Sequence, residues 1–225
     1  MRRLFSALFP CILLLLVLLA AFQGRNSSAA LSETELENRI WQLSVVLRGE
    51  NAEGSGCIYG YDEERQALVI ITAGHVLKEL QGSIEVKLAD GTVLPAASFL
   101  SVEECDLGYV YLLYEKLPER EKAYFEKEAD GKFREFLQIR ESSSLQKNDA
   151  FHMPDQISTG GHSLVDGYVV EPDRYLEEFG CEMIYGDGSA VSGMSGSGMF
   201  DDSGRLIGIL CGCLLYTSPS PRDKR

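Results

Sequence analysis

The 225-residue sequence has no Cys-x-x-Cys pair and no grouping of cysteine with histidine at zinc-ligand spacing, so a metal site is not expected. It also lacks a phosphate-binding loop, a dinucleotide fingerprint and a calcium-binding loop, so no cofactor is called for. Positive charge is scarce: 21 Lys and Arg stand against 34 Asp and Glu, a formal net charge of -13. A surface this acidic repels phosphates and argues against a nucleic-acid partner. No internal repeat recurs at a fixed period. Apolar residues make up 45% and charged residues 24%, which excludes a disordered chain and a polytopic membrane protein. The length suffices for one or two domains with real cores.

Both ends differ from the middle. Arg2 and Arg3 precede Leu4 to Phe22, an apolar run broken only by Ser6 and Pro10. A short basic flank before an apolar stretch is the pattern of an export signal, with the basic end retained inside. Two fates remain open for residues 1–30. Ser28-Ala29-Ala30 offers small residues for cleavage before Leu31, or residues 4–22 stay as a single membrane anchor. Either fate places the rest of the chain outside the cytoplasm, secreted or membrane-anchored. At the other end, composition changes abruptly after Leu215. Residues 216–225, from Tyr216 to Arg225, read as an artefactual or disordered tail, and the protein is expected to have continued past Leu215.

Six cysteines are present, and Cys11 lies in the leader. Cys57, Cys105, Cys181, Cys211 and Cys213 remain, an odd number that leaves at least one thiol unpaired within a monomer. Buried free cysteine is the default reading of each. A disulfide from Cys181 to Cys211 or Cys213 stays open because export permits it.

Between the two ends the pattern is mostly short strands. Trp41 to Leu47 alternates and then runs apolar, Gly54 to Gly60 is glycine-rich, and Ala67 to Thr72 is a β-branched buried run. Ile84 to Leu88 alternates strictly and leads into a turn at Ala89-Asp90-Gly91-Thr92. Leu107 to Tyr114 follows. Further strands are expected at Ala150 to Met153, Ser163 to Val170 and Leu206 to Leu210. Many short strands separated by turn signals predict an all-β barrel or sandwich. Leu117 to Leu137 breaks the pattern: Phe125, Ala129, Phe133, Phe136 and Leu137 recur at helical spacing among charges expected to form a solvated face.

Three short motifs carry chemistry. Gly193-Met194-Ser195-Gly196-Ser197-Gly198 surrounds a serine with glycine. A serine nucleophile needs a tight, uncovered turn and backbone N–H groups aimed at a developing oxyanion, and glycine permits both. A glycine-rich turn before a strand is also common without any catalytic role. Thr72-Ala73-Gly74-His75 places an imidazole at the end of a buried strand. An imidazole is the natural base for a serine hydroxyl at neutral pH, although a strand-end histidine is often structural. Cys105-Asp106-Leu107-Gly108 sets a carboxylate at the head of an apolar strand. Burying it unpaired is costly, and an imidazole N–H would satisfy it. A strand-capping aspartate is the alternative.

Taken together, and in the order His75, Asp106, Ser195, these motifs resemble those of trypsin-like (chymotrypsin-fold) serine proteases over about Trp41 to Leu215. Gly204-Arg205-Leu206-Ile207-Gly208-Ile209 is similar to the strand after the serine. The resemblance implies two six-stranded antiparallel β-barrels, here 31–116 and 148–215, joined by 117–147, with the active site in the cleft between them. It further implies a catalytic triad of His75, Asp106 and Ser195, an oxyanion hole from the N–H groups of Gly193 and Ser195, and a peptide or protein substrate. The substrate-binding positions would be Ser189 at the base of the specificity pocket and Cys211, Gly212 and Cys213 on the strand beside it. An uncharged Ser189 gives no reason to expect a preference for Arg or Lys. Met194 stands where digestive and clotting members carry an acid that pairs with a newly cut N-terminus, so that route of activation is not expected. The leader and the modest cysteine content resemble bacterial members of the high-temperature-requirement type, with no PDZ-like segment visible. His152 is expected to be a satisfied histidine in an alternating strand, and His162 lies in a turn.

Two other functions fit part of the pattern. An inactive protease-fold module that binds peptides or senses envelope state would explain Met194, Cys211 and the charged insertion. A serine esterase of another fold would need Gly-x-Ser-x-Gly with the serine ahead of its acid and histidine, and neither condition holds.

Overall fold

The computed structural model describes residues 31–80, 82–102, 106–128, 136–157, 163–177 and 179–212. The leader, residues 1–30, and the tail lie outside the described residues. Among the described residues no helix is long and apolar enough to cross a membrane.

The described chain begins with helix α1 (Glu33–Leu43). Ser32 caps it: its hydroxyl accepts from the Glu35 N–H at 3.4 Å, and the Glu35 carboxylate accepts from the Ser32 N–H at 3.1 Å. Leu36, Ile40 and Leu43 fall on one buried face. Trp41 to Leu43 therefore form the last helical turn and not the start of a strand. Strand β1 (Ser44–Arg48) starts only at Ser44. Over so short a run, alternation and helical spacing coincide, and the cap decides the outcome.

Next come β2 (Glu53–Asp62), β3 (Ala67–Ala73), helix α2 (Gly74–Leu80), β4 (Glu85–Lys87), β5 (Val93–Pro95), β6 (Ser98–Val102) and β7 (Leu107–Leu113). The strands form one antiparallel sheet in the order β5-β4-β1-β2-β3-β7-β6. Its two edges are consecutive in the chain. Between them the Ala96 N–H donates to Ile84 C=O and the Ala97 N–H to Tyr111 C=O, both at 2.8 Å. β5 and β6 are thus two halves of one strand bent at Pro95-Ala96-Ala97, and the sheet curls until it closes through that bend. Seven segments do the work of the six strands expected. Val45, Leu47, Ile58, Leu68, Ile70, Val110 and Leu112 fill the interior.

Helix α3 (Glu119–Glu128) occupies part of the connection and bears out only the first half of the expected helical segment, since Phe136 and Leu137 are not helical. Phe125 is fully buried and packs on Phe136 with ring centroids 5.0 Å apart, and Leu137 is buried as well. Ala129 and Phe133 lie outside the described residues. The charges are not all solvated, because Glu121 is only 2% exposed. Burial, with the nearby Asp90 carboxylate adding to it, pushes the Glu121 carboxyl above the usual range against the pull of Arg120.

The second antiparallel sheet contains β8 (Ala150–Asp155), β9 (Ser163–Leu176), β10 (Cys181–Gly188), β11 (Gly198–Phe200) and β12 (Leu206–Ile209), in the order β10-β9-β8-β11-β12. Five strands are described where six were expected, and β10 and β12 are the edges. Leu145, Phe151, Met153, Val169, Met194, Met199 and Ile207 make its core. The fold is mostly β, with two curled antiparallel sheets and few helices. Cys57 and Cys181 are free thiols, so the Cys181–Cys211 disulfide is not formed. Cys105 and Cys213 lie outside the described residues.

Candidate functional site

The site grows from the pairing of β3 with β7. Ala73 faces Leu107 and Thr72 faces Gly108 across the antiparallel ladder. The residues just past Ala73 must therefore meet those just before Leu107, and these are His75 and Asp106. His75 is the second residue of α2, in the first turn of a short helix and not on the strand itself. Its backbone N–H donates to Asp106 Oδ1 at 2.7 Å, and its Nδ1–H donates to Asp106 Oδ2 at 2.8 Å. The Gly74 N–H closes the contact on the Asp106 carbonyl at 2.8 Å. Asp106 adopts φ of 47°, a left-handed conformation that aspartate tolerates better than most residues. With Nδ1 engaged by the carboxylate, the proton-accepting lone pair of the neutral ring sits on Nε2. The imidazole is one-third exposed and Asp106 less so, which leaves the ring edge reachable from solvent.

The serine loop is held differently. Gly193 and Gly196 have φ of +92° and +88°, where glycine alone is unstrained. A Cβ on Gly196 would lie 2.0 Å from the Ser55 carbonyl oxygen and 2.2 Å from Thr72 Oγ1, so no other residue fits there. The Ser195 carbonyl accepts from the Ser55 N–H at 2.8 Å. Within the loop, the Met194 N–H donates to Val191 C=O, the Gly196 N–H to Leu210 C=O and the Ser197 N–H to Met194 C=O. Among the described residues the N–H groups of Gly193 and Ser195 have no hydrogen-bond partner. The loop thus spends its other donors and leaves these two. Met194 is fully buried in the second core and its sulfur accepts from the Val191 N–H at 3.4 Å, so the position holds a packing residue and no charge.

His75 and Asp106 are in direct contact. Ser195 is tied to the same region through Ser55, whose carbonyl accepts from Thr72 Oγ1 at 2.7 Å, three residues before His75. Among the described residues no hydrogen bond joins the Ser195 hydroxyl to the His75 ring. Ser189, Cys211 and Gly212 come together along a cavity of about 930 Å³ whose walls include Phe151, Met153 and Met199. Cys213 lies outside the described residues. The Cys211 thiol also reaches the Asp106 carbonyl at 3.9 Å, a link between the second sheet and the carboxylate. Ser55 was not singled out by sequence reasoning. Only its place in Gly54-Ser55-Gly56, a polar residue between two glycines on a buried strand, hinted at it. His152 takes no part in this contact. Its Nδ1 and Nε2 meet Asp166 at 2.7 Å and Asp202 at 3.0 Å. His162 lies outside the described residues.

Residues 54–209 match the trypsin-like peptidase domain family. The chain belongs to this family. The peptidase domain is similar in structure to the HtrA-type protease AlgW, solved with a tripeptide, with a TM-score of 0.61 at 19% identity. That likeness covers 80% of this chain and 54% of AlgW, so the chain spans about half the length of that protein. It is similar also to Deg5, with a TM-score of 0.58 at 19% identity over 81% of this chain and 87% of Deg5. At such identity the likeness shows a shared fold. No curated protein matches the sequence. Among the described residues no three His, Cys, Asp or Glu side chains are grouped to hold a metal ion.

Proposed function

We propose that this peptidase is a serine endopeptidase in which Ser195 is the nucleophile, His75 the general base and Asp106 the residue that orients the imidazole. The observation that carries this is the two-point grip of one carboxylate on both the backbone N–H and the Nδ1–H of His75. In the proposed reaction Ser195 Oγ bonds to the scissile carbonyl carbon as His75 Nε2 takes the hydroxyl proton. The N–H groups of Gly193 and Ser195 receive the resulting oxyanion, a role supported by their having no partner among the described residues. The C–N bond then breaks as the imidazolium returns its proton to the leaving amine, and an acyl-enzyme forms. Water repeats the sequence in reverse and frees the serine. A serine–histidine hydrogen bond absent in the free enzyme is compatible with this, because such contacts commonly tighten only with substrate bound.

The cavity beside Ser189, Cys211 and Gly212 would receive the side chain before the scissile bond. Uncharged Ser189 and the walls of Phe151, Met153 and Met199 favour an apolar residue there. The basic-apolar leader supports work outside the cytoplasm, either secreted or anchored by residues 4–22.

Turnover of a peptide library with wild type and Ser195→Ala tests the proposal. Wild type is expected to cleave after apolar residues, and Ser195→Ala to lose about 10⁴-fold or more of kcat. Peptide binding without cleavage, equal in both proteins, would instead establish a non-catalytic binding module.

A further inference from the structure

We infer that Ser55 is the positioning residue of the oxyanion hole, an inference that rests on Ser195 being the nucleophile. Ser55 lies on β2 in the first sheet and is 2% exposed. Each of its polar groups is committed to the site. Its N–H donates to Ser195 C=O at 2.8 Å and its hydroxyl donates to Gly193 C=O at 2.9 Å. Its own carbonyl accepts from Thr72 Oγ1, on the strand that leads to His75. One residue therefore joins the histidine side of the site to the carbonyls on either side of Met194.

The hydroxyl bond has a particular geometric consequence. It holds the oxygen end of the Gly193–Met194 peptide, while the Met194 N–H holds the other end by donating to Val191 C=O at 3.1 Å. With that peptide plane pinned at both ends, the φ of +92° at Gly193 determines where the Gly193 N–H points. Glycine has no Cβ to resist rotation, so the pinning must come from a neighbour. Ser55 supplies it from the opposite sheet. Removing the hydroxyl frees one end of the peptide and lets the Gly193 N–H swing away from the oxyanion, without touching His75, Asp106 or the Ser195 hydroxyl.

Ser55→Ala keeps the backbone N–H bond to Ser195 and deletes only the hydroxyl. Ser55→Cys restores a weak donor of similar size. Rates are taken per active site, counted by fluorophosphonate labelling of Ser195, so that any unfolded fraction drops out. The expected result for Ser55→Ala is a kcat lower by about 10- to 100-fold, within the loss caused by deleting an oxyanion donor. KM should stay within about 2-fold of wild type, because the ground-state carbonyl depends little on the hole. A peptide aldehyde, whose hemiacetal presents an oxyanion, should bind more weakly by the factor lost from kcat/KM. The pH profile of kcat/KM should keep its wild-type shape, and Ser55→Cys should fall between the two. An unchanged kcat per labelled site, a rise in KM alone, or a displaced pH profile would overturn the role of Ser55. A wild-type protein that neither cleaves peptides nor labels at Ser195 would overturn both this role and the protease proposal.

Discussion

Replacing Asp106 by asparagine exchanges one oxygen for an NH₂ and leaves side-chain volume almost unchanged, yet the hydrogen bonds around it dictate a large effect. The carboxylate accepts twice from His75, once from the backbone N–H at 2.7 Å and once from Nδ1–H at 2.8 Å. An amide can accept only on its oxygen. The backbone N–H is fixed as a donor, so the amide oxygen must face it. The reverse orientation would set two donors against each other and leave a partly buried N–H unsatisfied, at a cost of about 1–3 kcal/mol. The amide NH₂ then faces Nδ1 and forces that nitrogen to accept. The ring proton moves to Nε2, where it blocks removal of a proton from Ser195. In the proposed triad such a tautomer error is expected to lower kcat about 10⁴-fold, which corresponds to roughly 5.5 kcal/mol of transition-state stabilisation. Steady-state hydrolysis of a chromogenic peptide reads the loss, and circular dichroism checks that the fold survives. A fall of less than about 10-fold in a folded Asp106→Asn protein would refute the reasoning, since Asp106 would then not be setting the tautomer.

Two further predictions concern pH. His152 is flanked by Asp166 and Asp202, and only an imidazolium can donate to both; burial lowers its pKa, but the bonds to Asp202 and Asp166 outweigh it and hold the ring above its ordinary value. Its stabilisation is therefore fully present below about pH 6.5 and disappears as pH rises through the raised folded value, so the melting-temperature gap between wild type and His152→Gln should narrow from pH 5.5 to pH 8.5. A gap that widens with pH would contradict this. Glu121 carries the opposite consequence: its carboxyl is held above the unfolded value, so stability falls as pH climbs from the unfolded toward the folded value. Glu121→Gln should melt higher than wild type at pH 7 and equal to it below about pH 4, and a destabilised Glu121→Gln at pH 7 would contradict that.

Much of the candidate site was legible because its signals are local. Small residues around His75, a carboxylate heading an apolar strand and glycines around Ser195 are each contiguous in sequence, and the β3–β7 register turns two of them into neighbours. What escaped depends on contacts between distant segments. Ser55 looks like one more residue of a glycine-rich strand until the chain returns 138 residues later to place Gly193 on its hydroxyl. The join of β5 to β6 is invisible locally, since a strand bent at Pro95 reads as two unrelated short runs. Ser32 and Glu35 did spell a capping box, but the apolar alternation of Trp41 and Leu43 masked the helix that it starts. β10 was missed because its partly exposed residues and two register shifts against β9 blur any alternation. The Cys181–Cys211 bridge depended on a proximity that the sequence does not encode.

The most direct test of the central claim, that His75 and Asp106 make the Ser195 hydroxyl a nucleophile, is the site and rate of reaction with a fluorophosphonate. Mass spectrometry of the folded protein is expected to find one adduct, on Ser195, with its rate cut about 10³-fold or more in His75→Ala. An unlabelled Ser195, or labelling that proceeds equally fast without His75, would contradict it.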